Sequence, residues 1–192
     1  MKSKFKSSLE VFQEFHKRTT EKLPRESEAF GLQVDSQTLA KMTFRYSFSV
    51  SAMTRISHVI ENTVRRSPRV ADLHVSFQYV SRVADQYGRY VEVAENARAL
   101  ILYAVKDAPL PDLANLTFVD TEGTTLVDYW YLVAYGPGIS MTLLAQEIPG
   151  RSKRSRMYEG FYTFEPAIAF DVAQIMHDIF PTQVPKPTRP DA

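Results

Sequence analysis

The sequence predicts an α/β (α+β) fold: one domain with a mixed, mostly antiparallel sheet of about five or six strands, three flanking helices and an extra helix at the N-terminus. Three observations predict it. Helix-period and strand-period apolar patterns alternate between Ser49 and Val105. Strand signals with turn residues between them dominate from Asn115 to Phe164, and a second helical stripe closes the domain after Pro166. The length of 192 residues suits one domain.

Taken in order, residues 7–18 form a short amphipathic helix. Ser7 with Glu10 makes a capping box, and Leu9, Phe12 and Phe15 or His16 mark its apolar face. Thr19 to Ser36 has proline, glycine and many charges without periodicity and reads as a linker, which divides the chain into 1–36, a main domain over 37–181, and a disordered proline-rich tail over 182–192. From Ser49 to Arg66 a helix places Met53, Ile56, Ile60 and Val64 on one stripe, and Ser67-Pro68 ends it because the residue before proline is pushed out of the α region. In the strand VADLHVSFQY, Leu73, Val75, Phe77 and Tyr79 alternate with Asp72, His74, Ser76 and Gln78. Val80, Val83, Tyr87, Tyr90, Val91 and Ala94 then recur at helical spacing, as a crossover to the buried strand RALILYAV. APLPDLAN is a loop and NLTFVD a short strand; two further strands meet at Gly136-Pro137-Gly138; GRSKRSRMYEG is a charged loop before the strand FYTF. In the closing helix Ile168, Val172, Ile175, Met176 and Ile179 form the buried face, behind Pro166 at its first turn.

Composition excludes several chemistries. Without cysteine there is no disulfide, thiolate zinc site, iron–sulfur cluster or cysteine nucleophile. Twenty-three basic against twenty-two acidic residues leave a net charge of +1, which offers no field for neutralising a phosphate backbone and argues against nucleic acid as a partner. The first twenty residues have no apolar run, so neither a signal peptide nor a membrane anchor is expected, and the expected location is cytoplasmic. No nucleophile elbow, dinucleotide fingerprint or phosphate loop occurs.

Local candidates remain. His58 and Glu61 share a helix at i, i+3, but a cation would need a third ligand that no neighbour in sequence supplies, so a polar role is expected and no metal. His74 and His177 are expected at the surface. Arg151, Lys153, Arg154 and Arg156 form the one basic cluster, read as a solvated loop, with an anionic or nucleic-acid contact as the alternative. Tyr129, Trp130, Tyr131, Tyr135, Tyr158, Phe161, Tyr162 and Phe164 either fill the core or line a pocket or docking surface. On a strand Tyr129, Tyr131, Val133 and Tyr135 share one face, and Trp130, Leu132 and Ala134 the other.

Several of these segments, in order, give a resemblance: ISHVIEN (Ile56 to Asn62), SFQ at Ser76 to Gln78, YGRYVEVAENA leading into ALILYAV, DYWYLVAYG, LLAQE ending at Glu147, and RMYEGFYTFE from Arg156 to Glu165. From about Met53 to Ile179 the chain resembles the DICT sensory domain, named for its occurrence with diguanylate cyclases and two-component proteins. The order and spacing of the segments carry the resemblance rather than any one of them. It implies a non-enzymatic input domain that senses light or a small molecule and signals to an output module. With no kinase, cyclase or DNA-binding module in the sequence, the domain is expected to stand alone and act in trans on a signalling protein of one of those kinds, or on a second copy as a homodimer, the N-terminal helix being a candidate contact. No cofactor is named by the resemblance. Carried over residue by residue, the positions of interest are Trp130, Glu147, Arg156, Gly160 and Phe164, together with His58 and Glu61. Glu147 and Arg156 are expected to pair, either to hold the loop or to face a pocket, and Gly160 to serve a close backbone approach. The competing readings are a small enzyme using Glu147 or His58 as acid or base, and a nucleic-acid-associated transcription accessory protein using the Arg151 to Arg156 cluster.

Overall fold

A computed structural model describes residues 2–22, 44–150 and 156–189. Its elements run α1 (Lys2–Lys22), β1 (Phe44–Ser49), α2 (Val50–Arg65), β2 (Asp72–Tyr79), a 3₁₀ turn (Val80–Gln86), α3 (Tyr87–Asn96), β3 (Ala99–Val105), β4 (Leu116–Asp120), β5 (Tyr129–Gly136), β6 (Ile139–Glu147), β7 (Met157–Thr163) and α4 (Pro166–Ile179). The strands form one seven-stranded sheet in the order β1-β7-β6-β5-β2-β3-β4. β2, β3 and β4 are parallel neighbours; the other four pairings are antiparallel. The mixed, mostly antiparallel sheet is as expected, with one strand more than counted from sequence.

The extra strand is β1, which pairs with β7 from Phe44↔Tyr162 to Ser49↔Met157. Its signal was present as the alternation Phe44, Tyr46, Phe48 against Arg45, Ser47, Ser49, but the helix directly behind it masked so short a run. That helix starts where the Ser49 hydroxyl accepts the Ala52 amide N–H at 3.3 Å.

Helices cover both faces of the sheet. On one, α2 and α3 pack Met53, Ile56, Ile60 and Tyr90 over Leu73, Leu100, Leu132 and Leu143. On the other, α1 and α4 pack Phe12, Val172 and Met176 over Ile101, Tyr131, Leu144 and Phe161. The alternation read along β5 holds: Tyr129, Tyr131, Val133 and Tyr135 join the second layer, Leu132 and Ala134 the first. Two covered faces explain why β5 is aromatic or aliphatic at nearly every position.

Five expectations are corrected. The N-terminal helix spans 2–22 rather than 7–18. It is docked on this chain's own sheet, with Phe12 fully buried, so that part of its apolar stripe is not open to a partner; the linker beyond residue 22 lies outside the described residues. Residues 182–189 also lie against the fold: Val184 is 2% exposed, its carbonyl bonds His177 Nδ1 at 2.8 Å, and the Thr188 carbonyl accepts from Tyr135 Oη at 2.6 Å. His177 is therefore part-buried rather than solvated. Lastly, His74 is 2% exposed, because β2 is a central strand whose polar side is covered by the second helical layer. Asp72, His74 and Ser76 survive there by pairing, with Arg98, with Tyr103 Oη at 2.9 Å, and with the Tyr129 and Tyr131 backbone respectively.

Candidate functional site

Helical spacing along α2 directs Val50, Thr54, Ser57, His58 and Glu61 to one side, and that side faces the C-terminal end of β2 and the start of β5. Between them, closed by the 3₁₀ turn, Tyr90 of α3 and the start of β7, is a cleft of about 290 Å³. It brings together four of the residues singled out from sequence: His58, Glu61, Trp130 and Arg156.

Trp130 is half-buried. Its indole N–H donates to Ser57 Oγ at 3.1 Å, and its ring meets Tyr158 edge-on with centroids 5.5 Å apart. Glu61 is 3% exposed; Tyr90 Oη donates to its Oε1 at 2.9 Å, and Arg89 stands 3.5 Å from Oε2. Burial pushes the Glu61 carboxyl above its ordinary value, against the pull of Tyr90 and Arg89. Burial and the Arg89 charge push His58 down, which favours neutral imidazole. The same burial, with Glu61 beside it, raises Tyr90 and keeps its hydroxyl a donor.

At the mouth, Arg156 grips Glu147 with two parallel bonds, Nε to Oε1 at 2.9 Å and Nη2 to Oε2 at 2.6 Å. Gln78 joins them: its Nε2 donates to Glu147 Oε2 at 3.0 Å, and its Oε1 accepts from Arg156 at 2.8 Å and Arg82 at 2.6 Å. Tyr158 Oη also bonds Arg156. Arg156 holds the Glu147 carboxyl below its ordinary value. The pair anticipated from sequence thus exists, and it both ties β6 to the start of β7 and borders the cleft.

Two singled-out residues lie elsewhere. A Cβ on Gly160 would stand 2.0 Å from the Leu144 carbonyl oxygen and 2.5 Å from Ala145 Cα, so this glycine permits β6 and β7 to approach. Phe164 packs on Tyr162 and borders a wider groove of about 820 Å³ at the far end of the sheet, where Arg98 is already bonded to Asp72 and Tyr135 to Thr188. Sequence reasoning missed Ser57, Gln78, Arg82 and Tyr90. Only the helical offset of Ser57 from Thr54 and Glu61 could have signalled one of them. Arg151, Lys153 and Arg154 lie outside the described residues. Among the described residues no three metal-ligating side chains converge, and no helix is long and apolar enough to cross a membrane.

Fold and cleft together define a three-layer α/β domain with a recess of about 290 Å³ between α2 and the sheet. The chain belongs to the DICT family, the sensory domain in diguanylate cyclases and two-component systems, which matches residues 32–148. That span includes His58, Glu61, Trp130 and Glu147 but ends before Arg156, Gly160 and Phe164, so it is shifted N-terminally from the resemblance drawn between Met53 and Ile179. No curated protein matches the chain.

Proposed function

We propose that this DICT domain is a non-enzymatic receiver: a small ligand enters the cleft between α2 and the sheet, and its presence is passed to a signalling partner, a kinase, cyclase or transcription regulator. The observation that carries the reading is the convergence of Trp130, His58, Glu61 and Arg156 on one recess, walled by rings and floored by a buried carboxyl. Relay is supported by the network at the mouth, since Gln78 and Glu147 tie the ends of β2 and β6 to Arg156, the residue before β7, and a ligand that competes for Arg156 loosens these contacts together. The enzyme reading drew on Glu147 or His58; against its first candidate, Glu147 is held in a two-bond ion pair with Arg156.

Trp130 is the only tryptophan, so emission excited selectively at the indole reports on this one position in the cleft. The purified full chain is to be examined by native mass spectrometry for bound small molecules, and then titrated with metabolite pools while Trp130 emission is followed. A released mass that re-binds and saturably changes the emission is expected. A chain that carries nothing, and whose emission ignores every pool, would remove the reading. Partner capture with and without the released molecule then tests the relay.

A further inference from the structure

Phe12 turns one side of α1 onto the sheet, and an adjoining side of the helix borders a groove of about 1010 Å³ shared with α4. Val11, at 52% exposure, is the most exposed large apolar side chain among the described residues, and it stands in this groove with the half-buried Phe15, Ile168 and Ile175. An apolar strip rimmed by charge is the form a docking surface takes.

The charges on the rim point to the occupant. Glu10, Glu14, Arg18 and Lys22 recur every fourth residue, so they stack along one edge of α1, acidic nearer the N-terminus and basic nearer the C-terminus. An edge that changes sign along its length matches itself turned end to end. The midpoint between Glu14 and Arg18 is also the midpoint between Glu10 and Lys22, so a single two-fold axis across the helix brings both opposite-charge pairs together, each of them twice. A parallel pairing would instead set like charges side by side. Within one chain Glu14 already accepts from Arg18 Nε at 2.6 Å, but both side chains are largely exposed. Such a surface pair is weak, and each group keeps capacity for a further hydrogen bond. The α4 side of the groove adds Glu165 and Asp171, an acidic surplus that a foreign basic helix would use instead, so the two occupants have to be separated by experiment.

We propose that α1 is a self-association surface: two copies of this chain lay their α1 helices antiparallel in the α1–α4 grooves, with the apolar strips in contact and Glu10 and Glu14 of each copy on Lys22 and Arg18 of the other. This surface is on the face of the sheet opposite α2, so the dimer stands or falls independently of the receiver reading.

Sedimentation equilibrium of the full chain reads the mass directly, one copy being 21.9 kDa. Wild type is expected at twice that mass at chain concentrations up to about 100 μM, above the μM dissociation constant that a standard-size interface shows at its weakest. Glu10→Lys with Glu14→Lys makes the edge wholly basic, and Arg18→Glu with Lys22→Glu makes it wholly acidic. Each double variant should sediment as one copy, and an equimolar mixture of the two should recover the double mass; circular dichroism checks that both are folded. Should either misfold, cross-linking decides, because the chain has no cysteine of its own. Under mild oxidation Glu10→Cys mixed with Lys22→Cys should form the mixed disulfide at least about tenfold faster than Glu10→Cys joins itself, since its two copies lie twelve residues of helical rise, about 18 Å, apart across the axis. A wild type that sediments as one copy overturns the proposal, as does a double mass that both folded charge variants keep or that their mixture does not restore. Self-linking of Glu10→Cys at the mixed rate overturns the antiparallel register. A monomeric chain that takes a foreign basic helix on this edge also overturns it and assigns the groove to another partner.

Discussion

The indole N–H of Trp130 on β5 donates to the hydroxyl of Ser57 on α2 at 3.1 Å, across 73 positions of sequence. This bond pins the helix to the sheet at the cleft, and Ser57 is only 4% exposed, so few waters can replace it. Ser57→Ala should destabilise the chain by about 1 kcal/mol and shift the emission maximum of the sole tryptophan. An unchanged spectrum would mean that the bond does not hold the indole.

Phe12 docks α1 by its edges, against Tyr129 at 5.1 Å and Tyr131 at 5.9 Å between centroids. Phe12→Ala should cost roughly 3–5 kcal/mol if α1 stays in place, or less if the helix lets go. Limited trypsin digestion distinguishes the two. Lys17, Arg18 and Lys22 are already exposed, but release frees the helical backbone around them to unwind for cleavage under conditions that spare the wild type, and equal cleavage in both proteins would show that Phe12 is no anchor.

Gly160 faces Ala145 in register between β6 and β7. Gly160→Ala drives a methyl into backbone, which cannot yield as a flexible side chain does, and a loss of about 3 kcal/mol or more is expected, roughly 6–12 °C in Tm. Gly88→Ala is the control. Nothing lies within 4 Å of its added Cβ, and it sits in the first turn of α3, so it should be neutral or stabilising. Equal effects at the two glycines would contradict the close approach.

His16 and His74 are both buried, and burial lowers each from 6.5 to about 4; Glu159 opposes the shift at His16 and Asp72 at His74, while Tyr103 bonds the His74 ring. The unfolded chain therefore binds more protons than the folded one between these values, so stability is full above about pH 6.5 and falls as the pH drops toward 4. Urea unfolding at pH 7 and pH 5 should differ by on the order of 1–2 kcal/mol for each histidine. His16→Leu should remove one share of that difference. A pH-independent midpoint across the window would refute the burial account.

Glu147 has the opposite sign. Arg156 depresses its carboxyl below the ordinary 4.5, so the pair stabilises above that value and is lost as the pH falls through the lowered one. The side chains keep 26% and 15% of their exposure, so solvent screens much of the attraction. A double-mutant cycle of Glu147→Gln with Arg156→Met should give a coupling of about 1 kcal/mol at pH 7 and none at pH 2. Equal coupling at both would point to packing alone.

Periodicity in the sequence was enough to determine the elements with strong local signals: the α2 stripe Met53, Ile56, Ile60, Val64, the run at β3, the Pro137-Gly138 turn with Gly138 at φ 71°, and the two-sided character of β5. Each depends on neighbours a few residues away, so its physics is written locally. What only the tertiary structure decided is which face meets what. His74 looked solvated because alternation shows a polar side but not the helical layer that covers it. The cleft was illegible for the same reason, since Ser57 and Trp130, Glu61 and Tyr90, Gln78 and Arg156 stand 73, 29 and 78 positions apart and become partners only once the strand order places β5 beside β2 and β7 beside β6. Hydrogen bonding and burial are properties of that meeting, and no single stretch of chain contains them.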